Sequence, residues 1–132
     1  MRALAIMEIL SGIGVLGFWV AFYTVGLAPD KPPACYLNHE NSFPYADTVM
    51  SLLFIAGGFL LLRGQLMGYV LSIAAGGAFV FLGILDTTYN LQNGMYHTGI
   101  ADAVLNAFIN VYAILFGAFV VWRCEQRLAV KQ

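Results

Sequence analysis

Four apolar runs, each about as long as a bilayer is thick, take up most of this chain and dictate what it can become. A helix rises 1.5 Å per residue, so a hydrocarbon core of about 30 Å needs about 20 residues. Residues 3–28, 44–62, 66–91 and 99–124 reach that length or fall one residue short of it. Lipid offers no partner to an open backbone N–H or C=O, so such runs fold as helices. Their uninterrupted length excludes an eight-stranded barrel.

The breaks between runs carry turn chemistry. Pro29 stops the first run, and Arg63-Gly64-Gln65 forms a tight turn between the second and third. Ser42 is the expected cap of the second run, with Pro44 in its first turn. Asn93-Gly94 closes the third, and Thr98-Gly99 precedes the fourth. The expected fold is an all-α integral membrane protein. Its four transmembrane helices form an antiparallel up-down-up-down bundle, a single domain over residues 1–132 with outer connections at 29–43 and 93–98.

Composition agrees. Only 10% of residues are charged and 61% are hydrophobic, whereas a soluble domain carries roughly 25% charged residues. The net charge of −1 provides no field for nucleic acid, so none is expected as a partner. The lipid bilayer is the expected surrounding. Arg2, Arg63, Arg123, Arg127 and Lys131 fall on one side of the four runs and Lys31 on the other. The positive-inside rule then puts both termini in the cytoplasm, with the plasma (inner) membrane as the expected location. Met1-Arg2 opens like a signal peptide. The apolar stretch outlasts such a core, though, and is read as a retained first helix. Cys35 and Cys124 lie on opposite sides in this topology. Bridged Cα atoms stand about 4–7 Å apart, so both are read as thiols.

Three aspartates mark the same depth. Leu66 to Leu85 is twenty residues, which leaves Asp86 at the outer edge; Ala103 to Trp122 is also twenty, which leaves Asp102 there. Asp47 stands at the outer end of its run. Helix starts explain Asp47 and Asp102, because the positive end of the helix dipole favours a carboxylate. Asp86 lies near the end of its helix, where the dipole disfavours an anion, so another group must hold it.

Polar residues continue inward from that layer. Asp102, Asn106 and Asn110 recur every four residues and share one face. Ser72, Gly76, Phe79, Gly83, Asp86 and Asn90 alternate by four and three, the rhythm of a packing seam. Asp47, Ser51, Phe54 and Gly58 follow the same rhythm. Polar and small residues are expected to face one another inside the bundle. The expected site is an outward-facing pocket with Asp47, Asp86 and Asp102 at its mouth and Asn106 and Asn110 as its floor. Asn90 belongs to the same ligand-binding set. Phe18, Trp19, Phe22 and Tyr23 face lipid or the core, or contribute an aromatic wall. Ile9 to Ala28 is twenty residues, so Glu8 is read as an interfacial cap, or otherwise as a proton carrier in the inner leaflet.

Motifs for hydrolysis, nucleotide binding or haem attachment (GxSxG, HExxH, a Walker loop, CxxCH) do not occur. No cofactor is expected. A metal ion is the exception to keep open, since His39, Glu40 and His97 join the aspartates in a donor set suited to zinc, iron or manganese.

The leading expectation is binding, with or without translocation, of a cation or a small polar or amphiphilic molecule. The second is an intramembrane enzyme acting on a lipid or sterol-like substrate, with Asp86 or Asp102 as acid or base. The third is a non-catalytic subunit or assembly factor. A homodimer or a partner membrane protein is compatible with the glycine-bearing faces.

Overall fold

The computed structural model describes residues 1–29 and 32–130. Lys31 and Lys131, used above for orientation, lie outside the described residues. The chain is all-helical, with no strand among the described residues. Helix α1 covers Arg2–Ala21 and runs on into a π-helical turn at Phe22–Gly26. A short helix α2 (Tyr36–Glu40) precedes α3 (Phe43–Leu62). Helix α4 covers Leu66–Gln92, a 3-10 turn covers Met95–His97, and α5 covers Ile100–Ala129. Four of these segments are long and apolar enough to cross a membrane: Arg2–Gly26, Tyr36–Leu62, Leu66–Gln92 and Ile100–Ala129.

The structure departs from the sequence reading at four points. The first span ends at Gly26, not Ala28. Gly26 adopts φ +79, a left-handed geometry that glycine takes without steric cost, and the chain leaves the helix before Pro29 can stop it. Ser42 precedes α3 but its side chain does not cap it. Its hydroxyl instead donates to the Asn38 carbonyl at 2.9 Å, back into α2. The connection expected at 29–43 is itself partly helical through α2. The last helix runs through the polar tail to Ala129. Pro44 does sit in the first turn of α3, where its missing N–H costs nothing.

The long helices pack in chain order, α1 on α3, α3 on α4 and α4 on α5. The seam residues Ser72, Gly76, Phe79, Gly83 and Asn90 form the buried face of α4. Gly76 and Gly117 let α4 and α5 touch backbone to backbone. A Cβ on Gly76 would stand 2.8 Å from the Gly117 carbonyl oxygen, and one on Gly117 would stand 2.6 Å from that of Gly76. Phe54, Phe79 and Phe116 fill the centre with Met50 and Val120. A second cluster, Trp19, Phe22, Tyr36, Phe43 and Met95, gathers the two long connections at one end of the bundle. Leu10, Val20, Phe81, Phe108 and Leu115 point outward and are exposed. A surface this apolar suits hydrocarbon.

Candidate functional site

Helices α1 and α5 stand at opposite ends of the packed row. Toward the termini they converge, where Leu4 and Ala5 share a core with Val120 and Cys124. Further along, Ser11 Oγ lies 2.6 Å from the Tyr112 hydroxyl, and Ser11 also donates to the Met7 carbonyl at 2.7 Å. Beyond this tie the two helices separate around a cleft of about 520 Å³. That volume falls in the roughly 300–1,000 Å³ range of small-molecule sites.

The cleft is polar at one end and apolar along its sides. Glu40, Asp47, Asp86 and Asp102 line its mouth beside Tyr36. Phe18 and Trp19 of α1 and Phe22 of the π-helical turn line it together with Phe108 and Tyr112 of α5 and Phe79 of α4. Leu10, Leu105 and Phe108 line the cleft and are also exposed, so it opens sideways between α1 and α5 as well as at the mouth. Among the described lining residues there is no lysine or arginine.

Two of the four carboxylates, Asp47 and Asp86, have hydrogen-bond support. Trp19 donates its indole N–H to Asp47 Oδ2 at 2.7 Å, which joins α1 to α3 at the mouth. Asp86, which its own helix dipole disfavours, receives the Asn90 amide on Oδ2 at 3.0 Å. Its Oδ1 stands 3.4 Å from His39 Nε2. The group that holds Asp86 is therefore the next turn of its own helix together with α2. Asp86 also acts electrostatically on both Glu40 and Asp47.

Of the expected ligand-binding residues, Asp47, Asp86, Asp102, Asn106 and Asn110 line one cleft. Asn90 does not; it is buried and acts through Asp86. The cleft continues past the two α5 asparagines to Ser11 and Tyr112, because polar spacing on α5 alone could not reveal where α1 closes it. Asn110 donates its amide N–H to the Tyr96 hydroxyl at 3.1 Å. Its carbonyl oxygen is buried without a hydrogen-bond partner among the described residues.

Phe18, Trp19 and Phe22 join the cleft, whereas Tyr23 turns away and donates to Asn41 at 2.8 Å. His39, Glu40 and Asp86 place donor atoms within 4.8 Å of one another, while His97 stays exposed on the 3-10 turn outside this group. Glu8 lies within α1 and does not cap it. It is fully buried and accepts the Ser72 hydroxyl at 2.7 Å.

Comparison with protein-family models, curated proteins and solved structures finds no match.

Proposed function

We propose that this chain binds an amphiphile with a cationic or hydrogen-bond-donating head group, taken up sideways from the membrane into the cleft between α1 and α5. The observation that carries this reading is the pairing of a four-carboxyl mouth with aromatic walls in one laterally open space. A cationic head would meet carboxylates without a competing lysine or arginine among the described lining residues. Aromatic faces add attraction for organic cations. The unpartnered Asn110 carbonyl oxygen offers a buried acceptor to a donor on the ligand. The apolar tail would run between Phe18 and Phe108, at the lateral opening of the cleft.

The reading includes an up-down-up-down bundle with both termini in the cytoplasm. Arg2, Arg63, Arg123 and Arg127 support it, since all four flank the helix ends opposite the cleft mouth. The mouth would then face outward.

Trp19 reports on the site directly, because it lines the cleft and bonds to Asp47. In a Trp122→Phe background, its fluorescence in nanodiscs is titrated with dodecyltrimethylammonium and with an uncharged amphiphile of the same chain length. A saturable response to the cation alone, weakened at least on the order of tenfold by Asp86→Asn or Asp102→Asn, is expected from loss of a charge-assisted contact. Equal responses to both amphiphiles would refute the proposal.

A further inference from the structure

We propose that His39, Glu40 and Asp86 form a binding site for a borderline divalent cation such as zinc at the rim of the cleft. The inference rests on the geometry of these three side chains and stands whether or not an amphiphile occupies the cleft.

The first argument is distance. A charge-assisted N–H···O bond between imidazole and carboxylate settles at about 2.7–2.9 Å. His39 Nε2 and Asp86 Oδ1 are 3.4 Å apart, long for such a bond. Two donors each about 2.1 Å from a tetrahedral centre stand about 3.4 Å apart. A glutamate oxygen of Glu40 completes a set of donors all within 4.8 Å of one another. Glu40 makes no hydrogen bond to any described residue, so its carboxylate is available to turn inward.

The second argument is support behind the donors. The His39 ring lies flat on Tyr89, with centroids 3.5 Å apart and planes 7° apart, and Phe43 meets it edge-on at 4.8 Å. These contacts hold the plane of the ring. Asn90 holds the far oxygen of Asp86 at 3.0 Å and is itself buried. Ligand side chains oriented in this way by neighbours are what a metal site requires.

The third argument is charge. Asp47 and Asp86 both act on Glu40, and His39 is the one basic side chain placed against the group among the described residues. A dication neutralises what a single imidazole cannot. Imidazole with two carboxylates suits zinc or manganese, whereas all-oxygen donor sets suit calcium or magnesium. Glu40 and Asp86 also line the cleft, so the remaining coordination position opens into it.

The test is equilibrium dialysis of the detergent-purified chain against zinc chloride, with metal counted by mass spectrometry. One zinc per chain is expected, with affinity reduced on the order of 100-fold in His39→Ala and Asp86→Asn and on the order of tenfold in Asn90→Ala. His97→Ala is expected to bind as wild type does. Cobalt added to the wild-type chain gives a second readout that needs no variant. A four-coordinate visible spectrum without a thiolate charge-transfer band is expected, since Cys35 lies against Tyr89 and Asn93 instead. Absence of zinc binding overturns the proposal, as does binding that His39→Ala and Asp86→Asn leave unchanged or a thiolate band in the cobalt spectrum.

Discussion

Ser11 of α1 and Tyr112 of α5 share a 2.6 Å hydrogen bond, and that contact lies toward the inner end of the cleft. Below it the first and last long helices share a core; above it they part. Tyr112→Phe keeps the ring and its stack on Phe116 but removes the hydroxyl. Interhelical hydrogen bonds in membrane bundles contribute about 0.6 kcal/mol on average. A loss near that size is expected in mixed-micelle unfolding. Ser11→Ala combined with Tyr112→Phe should cost less than the sum of the two; strict additivity would mean the bond is absent.

Gly76 and its neighbour Gly77 separate packing from helix propensity. A Cβ at Gly76 meets the Gly117 carbonyl, whereas one at Gly77 meets nothing within 4 Å. Gly76→Ala is expected to destabilise by about 1–3 kcal/mol through overpacking. Gly77→Ala should be neutral or stabilising by up to about 1 kcal/mol, because alanine is the better helix former. Thermal unfolding in one detergent, with both variants side by side, decides it. Equal effects would contradict the close approach of α4 and α5.

Glu8 and Ser72 test how a buried polar pair behaves inside the bundle. Glu8 Oε2 accepts the Ser72 hydroxyl, and Oε1 has no partner among the described residues. Ser72→Ala leaves a fully buried carboxyl with neither oxygen bonded to Ser72, at a cost of about 1–3 kcal/mol. Glu8→Met with Ser72→Ala removes both partners and is expected to recover most of that loss. A double variant as unstable as Ser72→Ala alone would show that Glu8 holds the helices together by another route.

The two cysteines should differ sharply in reactivity. Cys35 is exposed and Cys124 is buried. Maleimide labelling of the folded chain is expected to modify Cys35 and spare Cys124 until denaturant is added. On intact cells, a membrane-impermeant maleimide should reach Cys35 if the mouth faces outward. Protection of Cys35 there, with labelling after permeabilisation, would reverse the proposed orientation.

Much of the site was legible because helix periodicity converts spacing into shared faces. Asp102, Asn106 and Asn110 lie four apart and do line one wall. The helix dipole disfavours Asp86 near the end of α4, and the Asn90 amide that offsets this stands one turn away in the same seam. Glu8 reads as a cap only when a twenty-residue span is set to end at Ala28. The helix instead starts at Arg2 and ends its π-helical turn at Gly26. Six residues in from Arg2, Glu8 lies about 9 Å along the axis. The role of Tyr112 was hidden, since an aromatic residue inside an apolar run carries no periodic signal for its hydroxyl.

Sequence alone determined that four long apolar helices form and which face of α3, α4 and α5 is buried, but not which face of α1. Length, hydropathy and periodicity are local properties, and lipid leaves an apolar chain no other way to satisfy its backbone. Tertiary structure alone decided that α1 and α5 part beyond the Ser11–Tyr112 contact, that a short helix in the first connection brings His39 to Asp86, and that the aspartate layer opens onto an aromatic cleft. Those outcomes depend on how glycine contacts draw some helix pairs together and leave one pair splayed. That balance is set between segments a hundred residues apart in sequence, as Ser11 and Tyr112 are, and no local pattern records it.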